Sequence, residues 1–294
     1  MVRNNIKNKI KTLTIDRYPS LFRPSSNPYL SGDSLRKISD YIFDESTSFN
    51  PKKVQKNSVV FLKTDLIDIF FTFYHLHINE QYILITHNSD RSIGETDLKY
   101  LDNKIIHWFA AKLNAQSTGR ITALSYGLEN RRYLKNGRIG LYKKIIKNTK
   151  NNQKNERVLC SFNPSTNPTQ REPLLEIAKS KKNFIDIKNF SKSKDYLQTL
   201  SAYLFNLCPE GNDFESHRIW ESLLFNCTPI VEKNNVNDNF YNMGVPLIML
   251  DKWKDLESLE IKDLNSLNQH NKNKNYETFS SLNFWIDQIN NAKR

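Results

Sequence analysis

Residues 202–232 restrict the fold more than any other part of the sequence, because they predict a strand, a turn, a helix and a second strand in succession. An apolar run leads into a turn that contains Pro209 and Gly211. In the helical pattern that follows, Arg218 and Glu221 lie opposite the apolar face. That face consists of Ile219, Trp220, Leu223, Leu224 and Cys227. The sequence therefore predicts a helix that packs on one face and leaves the other free for chemistry.

The turn and the start of this helix together predict an anion site. Gly211 can take backbone angles closed to other residues and lets a ligand come close. Unpaired N–H groups and the positive end of the helix dipole attract phosphates. Arg218 can bind a diphosphate, and Glu221 can accept hydrogen bonds from the hydroxyls of a ribose. Without the turn, an Arg/Glu pair at i,i+3 is typical of an ordinary surface helix; with it, the pair indicates a nucleotide-sugar site.

This stretch resembles the donor-binding segment of exostosin-like glycosyltransferases. The positions that match are Pro209, Gly211, Ser216, Arg218, Glu221, Pro229, Ile230 and Val231. The resemblance implies an α/β fold of the GT-B type, with two Rossmann-like domains whose parallel sheets face each other across a cleft. It also implies that Arg218 meets the diphosphate, as a catalytic and binding residue, and that Glu221 meets the ribose. The predicted donor-binding residues of this segment are Gly211, Asn212, Ser216, His217, Arg218 and Glu221.

The spacing of two acidic residues leaves the stereochemistry of transfer open. Asp213 precedes Glu221 by the interval of the E-x7-E pattern of retaining GT-B transferases, with Asp in the first place. We expect inversion by direct attack, and a retaining transferase is the alternative.

Composition and charge limit the class of protein. The 294 residues suffice for two domains of medium size. The formal charge of +12 favours anionic partners such as nucleotide sugars or membrane surfaces. The three cysteines show no metal-ligand spacing and indicate a reducing compartment. Because no apolar leader or membrane span is predicted, we expect a soluble, cytoplasmic bacterial or viral protein, with peripheral contact to a membrane surface left open.

The first half predicts a parallel sheet. Apolar runs at 59–62 and 82–86 flank a helical pattern at 66–76, with Thr64 as its N-cap, and this is a βαβ arrangement. Ligands bind at the carboxyl ends of such strands. The expected catalytic base therefore lies there, and the candidates in order are Asp90, His87 and Asp65, although helix capping also explains Asp65.

The rest of the first half contributes weaker signals. A short helix is predicted at 34–43, further strands at 104–109 and 120–125, and His107 is expected to be a core histidine. Glu129 and Asn130, in a polar stretch after the last strand, are possible donor or acceptor contacts.

The second half repeats the scheme of strand, polar turn and helix. We interpret the basic stretch 133–156 as a solvated linker with a helix at 141–147. Strands are predicted at 157–162, 184–187, 202–207 and 246–250, and helices at 168–178 and 195–200. Thr166, Asn167 and Arg171 follow the first of these strands and are expected donor contacts, though Arg171 could be an ordinary surface residue.

The terminal helical pattern completes the expected domain organisation. Residues 276–290 carry an apolar stripe, and similar helices in GT-B proteins cross back onto the first domain. The predicted division is an acceptor-binding domain at 1–130, a nucleotide-sugar-binding domain at 131–270 and a returning helix at 271–294.

The predicted function is transfer of a sugar, from a UDP-sugar by preference, to a hydroxyl of a glycan acceptor. No D-x-D motif follows an apolar strand, so we expect neither metal nor cofactor. From a different class, a basic nucleic-acid-binding protein is the alternative. The dispersed lysines and the lack of a known binding motif disfavour nucleic acid as a partner.

Overall fold

The computed structural model of the protein describes residues 23–133 and 136–293. Within these residues the strands form two five-stranded parallel sheets and one small parallel pair. This arrangement confirms the predicted α/β fold class with two Rossmann-like domains. None of the helices in the same residues is long and apolar enough to cross a membrane.

The N-terminal sheet is built from the apolar runs of the first half. Its strand order is β1-β2-β3-β5-β7, and every neighbouring pair is parallel. The strands are β1 (Tyr41–Phe43), β2 (Ser58–Lys63), β3 (Tyr82–His87), β5 (Ile105–Ala111) and β7 (Ile121–Leu124), with the short pair β4 (Ile93–Gly94) and β6 (Leu113–Asn114) beside them. The central strands are buried on both faces, which explains why they are continuous apolar runs in the sequence.

The segment between β2 and β3 does not form the predicted α-helix. A single α-helical turn, α2 (Ile67–Ile69), lies between 3₁₀ turns and a π-helical stretch, Phe70–Tyr74. The predicted N-cap is also wrong, because Thr64 lies inside the first 3₁₀ turn and donates its hydroxyl to the carbonyl of His87. The apolar pattern misled here because Phe73 and other apolar residues of the segment are exposed.

Two further predictions for the first half need correction. The predicted helix at 34–43 is a shorter helix, α1 (Gly32–Ile38), followed by strand β1. His87 is the last residue of β3 and is fully buried, although the sequence places it in a loop. His107 bonds Thr122 at 2.8 Å, which satisfies its ring as predicted.

The C-terminal sheet has the order β12-β11-β10-β8-β9, and all of its pairs are parallel. Its strands are β8 (Asn155–Cys160), β9 (Ile185–Ile187), β10 (Tyr203–Leu207), β11 (Thr228–Glu232) and β12 (Ile248–Leu250). The helices of this half are α3 (Ile139–Thr149), α4 (Pro168–Ser180), α5 (Ser193–Leu200), α6 (His217–Leu224), α7 (Asn235–Asn242), α8 (Ile261–Leu267) and α9 (Leu282–Ala292). The strands and the helices α4, α5 and α6 follow the sequence pattern closely, whereas α7 and α8 were not predicted.

The stretch before β8 is not a solvated linker. It contains α3, which buries Ile139, Tyr142 and Ile145 and contacts α5. Lys143, Lys144 and Lys147 of this helix are exposed, and the basic composition of the stretch hides the apolar stripe on the other side.

Hydrogen bonds at several places connect the halves of the molecule, among them bonds of α7 and of the start of α9. Asn239 of α7 accepts the backbone N–H of Ser117 at 2.9 Å and donates to the carbonyls of Leu113 and Ala115. At the end of the chain, Leu282 at the start of α9 donates its N–H to the carbonyl of Pro28 at 2.9 Å. The terminal helix therefore lies against the first sheet's domain.

Candidate functional site

A cavity of about 850 Å³ opens at the carboxyl end of the C-terminal sheet. The loops after β8 and β9 form one wall, and the start of α6 forms the other. Glu129 and Asn136, which precede α3, and Tyr142, which lies within it, close one side. The lining residues are Glu129, Asn136, Tyr142, Ser161, Phe162, Asn163, Pro164, Thr166, Arg171, Asn189, Phe190, Ser191, Lys192, Ser193, Tyr196, Leu197, Ser216, His217, Arg218 and Glu221.

Arg218 and Glu221 both line this cavity, one turn apart on α6. The Arg218 guanidinium lies 5.0 Å from the centre of the Tyr196 ring, and its buried Nη1 has no hydrogen-bond partner in the described part of the chain. The hydroxyl of Tyr142 donates to Glu221 Oε1 at 2.8 Å. Burial raises the pKa of Glu221.

The polar face of α6 is therefore not the free surface that the sequence predicts. Glu221 is only 8% exposed, because Tyr142 of α3 covers it. This face of the helix instead forms a wall of the cavity, and Arg218 and Glu221 lie on that wall.

Arg171 is a buried structural residue of the same cavity and not an ordinary surface arginine. Its Nε donates to the carbonyl of Glu210 at 2.8 Å and its Nη1 to the carbonyl of Asn163 at 2.9 Å. Burial and the nearby Arg218 lower the pKa of Arg171 to about 10. It thus ties the loop after β8 to the turn after β10.

The other two residues predicted after β8 lie at the same edge. Thr166 lines the cavity at the end of a short 3₁₀ turn, Pro164–Thr166. Asn167 precedes α4 without capping it through its side chain; its Nδ2 donates to the carbonyl of Gly211 at 3.1 Å instead. Both loops of this wall are therefore braced by side chains.

Two residues of the turn that the sequence emphasises, Gly211 and Asn212, do not line this cavity. Gly211 is buried, does not line the cavity and needs no positive φ; an added Cβ would meet no atom closer than 3.6 Å. Asn212 is exposed and lines neither this cavity nor the second cavity, which is described next. Helix α6 begins six residues after the glycine, with Ser216 as its N-cap, and the Oγ of Ser216 is buried without a partner in residues 23–133 and 136–293.

A second cavity of about 370 Å³ lies at the carboxyl end of the N-terminal sheet. It contains the three predicted base candidates. Its lining residues are Gly32, Glu45, Lys63, Asp65, His87, Asn88, Ser89, Asp90, Tyr126, Leu128, Glu129, Asn130, Arg132, Tyr133 and His217.

Each base candidate in this cavity already contacts another side chain of the protein. The Asp90 side chain is 70% exposed and pairs with Lys112 at 3.2 Å. Asp65 accepts a hydrogen bond from the hydroxyl of Ser89. His87 stacks on Tyr126 with ring centroids 4.8 Å apart.

The proton of His87 is also fixed in place. Its Nδ1 accepts the backbone N–H of Asn88 at 2.6 Å, which assigns the ring hydrogen to Nε2. Burial, with His217 and Lys112 nearby, lowers the pKa of His87 to about 3. The imidazole therefore has no lone pair directed at a ligand and little basicity.

The two cavities meet at Glu129 and His217, which line both. His217 Nε2 lies 3.7 Å from Glu129 Oε1, and His217 Nδ1 bonds the carbonyl of Gly127 at 2.6 Å. Asn130, by contrast, is structural: its side chain accepts the N–H of Asp33 and donates to Asn88. The sequence indicated Glu129 only weakly, since its partner comes from the other half of the chain.

Two acidic residues before α6 differ from expectation. Asp213 lines neither cavity and lies 3.8 Å from Lys112. Glu215, which the sequence did not single out, is buried and accepts the N–H of Tyr126 at 2.8 Å and the indole N–H of Trp220 at 2.6 Å. Burial raises the pKa of Glu215 to about 7. No sequence signal marks it, because both donors depend on the tertiary fold.

The side chains that could hold a metal do not cluster in the described ranges. No group of three or more His, Cys, Asp or Glu residues within them has a suitable arrangement. The cysteines Cys160, Cys208 and Cys227 are free and buried, and burial raises the pKa of each thiol.

Solved structures of similar shape share little sequence with this chain. Trehalose 6-phosphate synthase from Burkholderia multivorans has 8% identity and a TM-score of 0.46, with 82% of this chain and 72% of that chain covered. A UDP-forming trehalose-phosphate synthase from Burkholderia xenovorans has 7% identity and a TM-score of 0.46, covering 82% and 74%. TarM has 12% identity and a TM-score of 0.40, covering 79% and 55%.

A comparison with curated proteins found no match. The sequence model described as the RXYLT1 C-terminal domain matches residues 141–290, just over half of the chain. The matched region includes the C-terminal sheet and all of α6. By its family and its two-domain fold the protein is glycosyltransferase-like, and the chain belongs to the RXYLT1 C-terminal domain family.

Proposed function

We propose that the protein transfers a sugar from a nucleotide-sugar donor, a UDP-sugar by preference, to a hydroxyl of a glycan acceptor. Residues 131–270 bind the donor in the larger cavity, and residues 1–130 bind the acceptor in the smaller one. Residues 271–294 return to the first domain. The transfer inverts the anomeric centre and needs no metal.

One observation carries this proposal: the unpaired Arg218 Nη1 at the wall of the larger cavity. A buried cationic nitrogen without a partner is costly unless an anion completes its hydrogen bonds. A diphosphate offers several acceptor oxygens to a guanidinium. Lys192 lines the same cavity and adds to its positive charge.

The remainder of the larger cavity suits a nucleoside. Phe162 and Phe190 supply aromatic surface at the ends of the loops after β8 and β9. Glu221 Oε1 accepts the Tyr142 hydroxyl, which leaves Oε2 for a ribose hydroxyl. An apolar wall with a few fixed polar groups is the usual composition of a small-molecule site.

The proposed mechanism is a single displacement. The acceptor hydroxyl enters from the smaller cavity, attacks the anomeric carbon from the face opposite the diphosphate, and the nucleoside diphosphate departs with the electron pair of the broken bond. Arg218 offsets the charge that develops on the leaving group. A side-chain cation in this role supports transfer without a metal. The retaining alternative has no structural support, because Asp213 lies outside both cavities.

Thermal denaturation with nucleotides tests the donor proposal. UDP and a panel of UDP-hexoses and UDP-pentoses should raise the Tm, because a ligand that binds only the folded state stabilises it by about 2.7 kcal/mol at one hundred times its Kd. Arg218→Ala should reduce this effect, whereas Lys262→Ala, an exposed cation on α8, should retain it. No Tm shift with any nucleoside diphosphate or nucleotide sugar would refute the proposal.

A further inference from the structure

The place where the two cavities meet restricts which residue can act on the acceptor, given the proposed function. The attacking oxygen must approach the anomeric carbon to about 3–3.5 Å, and its base must lie within hydrogen-bond reach, roughly 2.6–3.2 Å. The base must therefore contact the acceptor cavity and also border the donor cavity. Among the residues that the structure describes, Glu129 and His217 are the two that line both.

The surroundings of Glu129 leave one carboxylate oxygen available. Its Oε1 accepts the backbone N–H of Asn130 at 3.2 Å and faces His217 Nε2 at 3.7 Å. Within residues 23–133 and 136–293, Oε2 takes no hydrogen bond. The side chain is 23% exposed, so a ligand in either cavity can reach it.

The ring of His217, the other residue that lines both cavities, is held in place by two contacts. His217 Nδ1 donates to the carbonyl of Gly127 at 2.6 Å, and Tyr126 packs on the ring with centroids 4.7 Å apart. His217 is also the first residue of α6 and directly precedes Arg218. With Nδ1 donating to Gly127 and Nε2 facing Glu129, both ring nitrogens are directed at protein groups.

We propose that Glu129 is the general base of the transfer. The acceptor hydroxyl donates its hydrogen to Glu129. As its oxygen bonds to the anomeric carbon, the proton passes to the carboxylate and the nucleoside diphosphate leaves. The protonated Glu129 then returns the proton to solvent, because its side chain is partly exposed.

The base candidates from the sequence meet this requirement less well. Asp90 and Asp65 line the acceptor cavity but not the donor cavity, and Asp90 is already paired with Lys112. His87 likewise lines the acceptor cavity but not the donor cavity, and its ring hydrogen is on Nε2. None of them borders the donor cavity, where the anomeric carbon must lie.

The test combines Glu129→Gln with a nucleophile that needs no base. UDP release from the UDP-sugar panel is measured with water or hydroxyl acceptors, and again with sodium azide. Loss of a general base lowers the hydroxyl reaction by about 10²–10⁴-fold. Azide is already an anion, so its attack on the anomeric carbon should proceed in Glu129→Gln at a rate comparable to the wild type, and mass spectrometry should detect the glycosyl azide.

Controls separate this inference from the proposed function. Glu80→Gln changes an exposed glutamate that lines neither cavity, before the amino end of β3, and should behave as wild type. If the wild type neither binds nor turns over any nucleotide sugar, the proposed function fails. If the wild type is active and Glu129→Gln keeps the hydroxyl reaction, the assignment of Glu129 is wrong. Loss in Asp90→Asn or His217→Asn together with such retention would move the role to that residue.

Discussion

The buried carboxyl of Glu215 predicts a specific dependence of stability on pH. Glu215 lies at the contact between the halves of the molecule, where Oε1 accepts the N–H groups of Tyr126 and Trp220. Its other oxygen has no partner among the described residues. Substituting Glu215→Gln keeps an oxygen acceptor of the same shape and removes the ionisable proton.

The magnitude follows from the change in pKa on folding. Burial raises the pKa of Glu215 from 4.5 to about 7, so the folded protein holds this proton over a pH range in which the unfolded chain has released it. Stability therefore falls as pH rises through that range. At 1.36 kcal/mol per unit of pKa, the free energy of unfolding falls by about 3 kcal/mol in total. This fall is complete once the pH exceeds the pKa of Glu215 in the folded state.

Urea denaturation at about pH 5 and about pH 8.5 measures this loss. The free energy of unfolding of Glu215→Gln, relative to wild type, should improve by about 2.5 kcal/mol between the two pH values, because a small part of the loss has already occurred at about pH 5. Any constant cost of the new amide cancels in this difference. Glu257→Gln, at an exposed glutamate, serves as the matched control and should follow the wild type. Parallel pH dependence of Glu215→Gln and wild type would refute the reasoning.

Three further predictions concern the donor cavity. Arg218→Ala should lower kcat more than donor affinity, because its charge is needed most as the diphosphate leaves; equal losses in kcat and in the Kd from calorimetry would contradict this. Glu221→Ala should weaken UDP binding by roughly 1.5–3 kcal/mol through lost hydrogen bonds, and unchanged affinity in the same titration would remove the ribose assignment. Activity should persist after EDTA treatment, and its loss with recovery on adding Mn²⁺ would show that the transfer uses a metal.

Much of the fold could be predicted because parallel strands are buried on both faces. Runs such as 59–62 and 82–86 therefore stand out as continuous apolar segments. The segment between them could not be predicted in detail, since Phe73 and Leu76 are exposed and give no consistent packed face. The helix α3 was missed as a packed element because the stretch that contains it, 133–156, is basic overall.

The candidate site was predictable in part. Arg218 and Glu221 lie together on a cavity wall because their spacing on one helix brings them there. The turn at Gly211 and the base could not be placed, because both depend on distances between separate segments. Glu129 and His217 meet only when the two halves of the chain fold against each other.

The position of the terminal helix has a consequence for synthesis on the ribosome. Helix α9 follows the whole C-terminal sheet in sequence, yet it contacts residues near the start of the described chain through Leu282 and Pro28. Trp285 and Ile289 of the same helix are buried in the core shared with the first sheet. The first domain therefore keeps an uncovered apolar surface until α9 has been synthesised and packs against it.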